Sequence, residues 1–240
     1  MKILAIDTSN RPLSVAVLDD TTVLAAITVT VHQKHAEYLL PEIERLLAMA
    51  ALKPGDLDRV VVAAGPGSYT GIRIAVTTAK TLAATLNLDL VAVSSLATLA
   101  ANVPVEGALV APIFDARNQN VFAGLYRIKA GMPVPVIADA HVNITTFLTA
   151  VTEYAEPVWF LGDAAHFDDL INTTVSAATP VVSSWMNLPQ AATIGLLGQQ
   201  LSPVTDVDRF VPNYLRLTQA EAEWRAKNPN EDTESYVEKI

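Results

Sequence analysis

The chain has 240 residues, 51% hydrophobic and 17% charged, enough for a sizeable buried core in one large or two small domains and unlike a disordered chain. Its 16 Lys and Arg against 25 Asp and Glu give a formal net charge of −9, and without a basic run direct tRNA or DNA binding, which rests on cations at phosphates, is not expected. Cysteine is absent, which excludes disulfides, thiol catalysis and Cys-ligated zinc and fits a cytoplasmic setting.

The opening MKILAIDTSN reaches Asp7 before an apolar stretch long enough for a secretory signal, and no run is long enough to span a bilayer. Lys2–Ile6 reads as a buried strand. Leu13–Leu18 and Val23–Val31 follow it, turning at Asp19-Asp20-Thr21-Thr22, so the three form an antiparallel meander. His35–Ala51 is helical, with Leu39, Leu40, Ile43, Leu46 and Leu47 at helical spacing, and Pro54-Gly55-Asp56 stops it. Arg59–Ala64 is a continuous apolar run, as in a strand covered on both faces. Helix Thr70–Leu86, strand Leu90–Val93 and a short helix near Leu96–Ala101, capped by Ser94-Ser95, complete the first half.

Val103–Gly107 marks a boundary. Strands are expected at Leu109–Phe114, Asn120–Arg127, Val136–Val142 and Val158–Leu161, and helices at Ile144–Tyr154, Ala164–Ile171 and Pro189–Leu201. Both halves run strands first and then alternate helix with strand. This predicts subdomains at 1–105 and 106–217, with helix 189–201 packing back on the first, and a polar tail at 218–240.

The segment AAGPGSYTGIR, residues 63–73, poses the functional question. It lacks the Lys-Ser/Thr of a P-loop and breaks the dinucleotide GxGxxG spacing. What remains is a Pro-Gly turn, Ser68 as a helix N-cap, and free N–H groups that suit either an anion or an ordinary strand-to-helix turn. The helix behind it buries Ile72, Ala75, Val76, Ala79, Leu82, Ala83 and Leu86. Its other face carries Thr77, Thr78, Lys80, Thr81, Ala84 and Thr85, small and nearly uncharged, and fits either a subunit contact or an unremarkable surface. The turns Asp7-Thr8-Ser9 and Asp115-Ala116-Arg117 hold equivalent places in the two halves. Across a cleft they would suit a Mg-nucleotide, with Asp7, Ser9, Gly67, Ser68 and Asp115 as nucleotide or anion contacts; otherwise both acids cap their turns. His32 and His35 form an HxxH pair without a third ligand, so no metal is expected there, and no Ser-His-Asp grouping is visible.

The stretches "MKILAIDTSN…LSVAVLD", "KHAEYLLPEIERLL", "VVVAAGPGSYTGIRIAVTTAKTLA", "AVSSLATLA", "APIFDARNQNVFAGLYR" and "PNYLR" together resemble the TsaB (YeaZ) family of bacterial tRNA threonylcarbamoyladenosine biosynthesis subunits. The resemblance implies an α/β fold of two duplicated mixed-sheet subdomains, of the actin/Hsp70/sugar-kinase (RNase H-like) type. It also implies a non-catalytic subunit without a cofactor, which binds the catalytic paralogue TsaD together with the ATPase TsaE and forms a homodimer when alone. The paralogue carries a metal-binding HxxxH where this chain reads Ser95-Leu96-Ala97-Thr98-Leu99, and neither Ser95 nor Leu99 offers an imidazole. The family's subunit contact uses the two helices of the first subdomain, which places His35, Tyr38, Leu39, Glu42, Arg73, Thr77, Lys80, Thr81 and Ala84 at an interface. An active Mg-ATP-dependent ATPase or kinase of the same fold is the alternative.

Overall fold

The computed structural model describes residues 1–30, 34–179 and 184–216. The first half contains strands β1 (Lys2–Asp7), β2 (Pro12–Asp19) and β3 (Thr22–Thr30), helix α1 (His35–Met49), β4 (Arg59–Ala63), α2 (Tyr69–Leu86), β5 (Asp89–Val93) and α3 (Ser95–Ala100). The second half contains β6 (Leu109–Asp115), β7 (Asn120–Lys129), β8 (Met132–Asn143), α4 (Ile144–Val151), β9 (Val158–Gly162), α5 (Asp168–Thr174), β10 (Ala178–Thr179) and α6 (Ala191–Gln199).

Each half builds one five-stranded mixed sheet, in the orders β3-β2-β1-β4-β5 and β10-β9-β6-β7-β8. In the first, β1 pairs antiparallel with β2 and parallel with β4; in the second, β6 pairs antiparallel with β7 and parallel with β9. The two sheets are one topology stated twice. The central strands are apolar between their ends because both faces are covered. On the first sheet, α1 and α2 bury Leu39, Leu46, Ile72 and Ala79 against Leu4, Ile6, Val60 and Val62. Its other face, through Ile3, Ala5 and Val61, receives α6 through Ala191, Ile194 and Leu197. On the second sheet, α4 and α5 cover Ala111, Ile113 and Phe160, while α3 sets Leu96 and Leu99 against Val110 and Phe114 on the opposite side.

The return of α6 to the first sheet is fixed by two small residues and one cation. A Cβ at Gly198 would come within 2.4 Å of the Val61 side chain, and one at Gly195 within 2.5 Å of Leu18. Arg59, 9% exposed, donates from Nη1 to the Gly198 carbonyl at 2.8 Å and from Nη2 to Asp89 at 2.8 Å. A guanidinium at a helix C-terminus satisfies orphan carbonyls and opposes the helix dipole.

Three expected boundaries are corrected. β8 begins at Met132 rather than Val136; it lies at the sheet edge, where the missing N–H groups of Pro133 and Pro135 cost no ladder bond. The segment expected as one helix over Ala164–Ile171 divides into a 3-10 turn, Asp163–Phe167, and α5. The last helix starts at Ala191, so Pro189 precedes it instead of occupying its first turn.

Candidate functional site

The glycine loop after β4 is shaped by close backbone approach to the β1–β2 turn. A Cβ at Gly71 would stand 2.0 Å from the Thr8 carbonyl oxygen, and one at Gly67 2.2 Å from that of Ser9. Hydrogen bonds use this proximity: Ser68 N donates to Ser9 O at 2.7 Å, and the Thr8 hydroxyl donates to Gly71 O at 2.7 Å. Ser68 caps α2 by accepting from Gly71 N at 3.3 Å. At the near end, Gly65 N donates to the Ser95 hydroxyl and Ser95 N returns a bond to Gly65 O. The glycines thus admit neighbouring backbone and clamp the loop between β1 and α3.

Beside this loop lies an open cleft of about 590 Å³. Ser9, Gly67 and Ser68 line it from the first half, Asp115 and Arg117 from the second, and Tyr214 from the terminal segment. The two aspartate turns have matching local bonds. Asp7 Oδ1 accepts from Ser9 N at 2.7 Å, and Asp115 Oδ1 accepts from Arg117 N at 2.8 Å, each two residues on. Their exposures differ. Asp115 is exposed, with its own N–H donating to Asp163 Oδ2 at 3.0 Å. Asp7 is 0% exposed and is not among the cleft-lining residues, which corrects its expected role as a direct ligand contact. Burial pushes the Asp7 carboxyl up to about 6, partly offset by the hydrogen bond from Ser9 N. Asp7 Oδ2 and the Ser9 hydroxyl are both buried and have no hydrogen-bond partner among the described residues.

The α1–α2 face presents a different chemistry. Tyr38 is 39%, Leu40 57% and Met49 69% exposed, along with Thr77, Thr81 and Ala84 on α2. Leu39 is corrected: at 1% exposure it belongs to the core between α1 and the sheet and presents nothing outward. His35 opens α1 and its Nε2 lies 2.9 Å from Arg11 O, while Glu42 pairs with Arg45 at 2.8 Å. Lys80 donates its ammonium to the carbonyls of Asp208 and Phe210 at 2.9 and 2.7 Å, so α2 holds the terminal segment against itself. Arg73 lies over the Tyr69 ring at 4.2 Å and donates Nε–H to the Tyr214 hydroxyl at 2.8 Å; the two tyrosine rings are 5.0 Å apart. Tyr69 and Tyr214 line the cleft while Arg73 lies on α2, so this cluster joins the cleft to the helix face. Sequence reasoning missed both tyrosines. PNYLR stood out as a stretch, but a segment without periodicity carries no signal for what it packs against.

Ser95 and Leu99 are buried, Ser95 in its bonds to Gly65 and Leu99 in the core against the second sheet. His32 lies outside the described residues. Among the described residues no group of three or more His, Cys, Asp or Glu side chains is placed to hold a metal ion, and no helix is long and apolar enough to cross a membrane.

Two sheets of identical strand order, each with its first strand ending in an aspartate turn, define the actin/Hsp70/sugar-kinase class of α/β fold. A family model described as "TsaD: tRNA N6-adenosine threonylcarbamoyltransferase" matches residues 26–224. The chain is 41% identical over 225 residues to tRNA threonylcarbamoyladenosine biosynthesis protein TsaB of Bacillus subtilis (strain 168), covering 93% of this chain and 98% of that one. It is 36% identical over 100 residues to TsaB of Escherichia coli (strain K12), 42% of this chain and 43% of that one. The solved structure of YeaZ from Pseudomonas aeruginosa matches with a TM-score of 0.78 and 27% identity, covering 89% of this chain and 99% of that one. The chain belongs to the TsaB family.

Proposed function

We propose that this chain is a non-catalytic subunit for threonylcarbamoylation of the tRNA adenosine next to the anticodon, acting in the cytoplasm. The observation that carries the reading is the 41% identity to a TsaB spanning 93% of the chain. Its role is to bind a TsaD-like catalytic subunit through the outward face of α1 and α2, with a TsaE-like ATPase joining the assembly and a homodimer forming on the same face when the partner is absent. Exposed Tyr38, Leu40 and Met49 on α1 and the small exposed residues Thr77, Thr81 and Ala84 on α2 support this, because apolar side chains and close backbone approach both favour helix–helix association. Buried Ser95 and Leu99, in place of a histidine pair, support the absence of catalysis. Depleting the chain in its own cell and measuring threonylcarbamoyladenosine in bulk tRNA by mass spectrometry tests the pathway: the modified nucleoside should disappear, and undiminished levels would overturn the assignment.

The cleft favours a second reading, an active Mg-ATP-dependent ATPase or kinase, since Ser9, Gly67, Ser68 and Asp115 surround it. Under that reading the purified chain alone hydrolyses ATP with Mg, and Asp115→Asn removes the activity.

A further inference from the structure

A second pocket, of about 330 Å³, opens where the two halves meet α6. Its walls are apolar, including Ala97 of α3, Met132, Pro135 and Ala138 of β8, and Leu197 of α6. At one end stands a single carboxyl, that of Asp139. Ser94 Oγ donates to its Oδ2 at 2.5 Å, and the Tyr126 hydroxyl donates to its Oδ1. The same Ser94 oxygen accepts from Leu96 N and Ala97 N at 3.2 Å, so the carboxyl is tied to the first turn of α3.

Space for the carboxyl is made by the strand opposite. A Cβ at Gly124 would come within 2.6 Å of Asp139 Oδ1, and Gly124 lies where the β7–β8 register slips between Ala123 and Leu125. A bulged glycine that seats a half-buried acid between two hydroxyl donors is a built arrangement. Burial pushes the Asp139 carboxyl above the usual carboxylate range, with the Ser94 and Tyr126 hydrogen bonds partly offsetting it. Neither the core nor the glycine loop uses this acid.

We propose that the pocket binds a small organic cation, an apolar body carrying one ammonium group, with Asp139 as its counter-ion and Ser94 and Tyr126 fixing the carboxyl. The lining supplies the selection. No Lys, Arg or His lines the pocket to receive an anion, and three polar residues among eleven are too few for a sugar or nucleotide. A carboxylate accepts about four hydrogen bonds, and Asp139 receives two from the protein, which leaves acceptor capacity for an ammonium. None of the lining residues belongs to α1 or α2, so the site stands or falls independently of the partner face.

The test is a titration of the full chain with benzylammonium and with neutral benzyl alcohol, read by the methyl resonance of labelled Met132. Benzylammonium should shift the resonance saturably and bind at least tenfold more tightly than the alcohol. Asp139→Asn should bring the two probes within about twofold. Ala138→Phe, at an exposed edge-strand position, should fill the pocket and abolish the shift while the circular dichroism and melting temperature stay near those of the parent, which covers the case of Asp139→Asn failing to fold. Equal affinity for the two probes, no saturable shift at tens of millimolar, or binding that survives Ala138→Phe would overturn the proposal and leave the Ser94–Asp139–Tyr126 contact as a tie between elements.

Discussion

Asp7 ends a central strand with a buried carboxyl whose Oδ2 has no partner among the described residues. Its folded-state value of about 6 lies above the ordinary 3.8. The native state therefore holds this proton more tightly than the unfolded chain, and the group's stabilising contribution is full below pH 4 and lost as pH rises through 6. At pH 7 the ionised group opposes folding by roughly 3 kcal/mol, taking about 1.4 kcal/mol per pKa unit. Asp7→Asn keeps an oxygen for Ser9 N and carries no charge. Urea unfolding should show the variant more stable than the parent at pH 7 and near parity at pH 4; a constant difference across that range would contradict the assignment. Gly71 makes a steric prediction. With the Thr8 carbonyl 2.0 Å from any Cβ, Gly71→Ala must separate α2 from the β1–β2 turn and should cost about 2–4 kcal/mol by the same assay. Gly55, where a Cβ meets nothing within 4 Å, is the control and should tolerate alanine.

The two faces of α2 do separate work. Ala79 is 0% exposed against the sheet, whereas Ala84 is exposed on the opposite side. Ala79→Asp should unfold the protein, since an unpaired buried charge costs several kcal/mol. Ala84→Arg should leave the melting temperature within a degree or two and weaken association with a TsaD-like subunit by at least about tenfold, because a long cation would stand on the face proposed for the contact. Normal association of a well-folded Ala84→Arg would remove the case for that face. Leu39 tests the neighbouring helix. Its truncation to Ala should cost about 2–5 kcal/mol of stability through the cavity it leaves, with any loss of association following from unfolding and not from a lost contact.

Seen whole, the molecule is one sheet topology used twice, with α3 and α6 between the sheets. Much of this was legible in the sequence because the central strands are unbroken apolar runs and α1 and α2 carry helical periodicity over several turns. What was not legible lacks period or length. β10 has two residues, and the prolines of β8 argue against a strand unless its edge position is known. The split near Asp168 leaves the apolar spacing of Phe167, Leu170 and Ile171 unchanged, so periodicity could not reveal it. The aspartate turns and the glycine loop were legible as turns, but not that Asp7 would be sealed away from the cleft or that Tyr214 would return from late in the chain to line it. The proposed partner binding also belongs to this scale, since the whole first sheet holds in place the helices proposed for it. The most direct measurement is light scattering on a size-exclusion column of the purified chain, run alone and with the TsaD-like subunit of the same cell, with and without Mg-ATP. The account predicts a heteromeric peak that grows at the expense of the lone protein; a chain that stays monomeric and unassociated under every condition would contradict it.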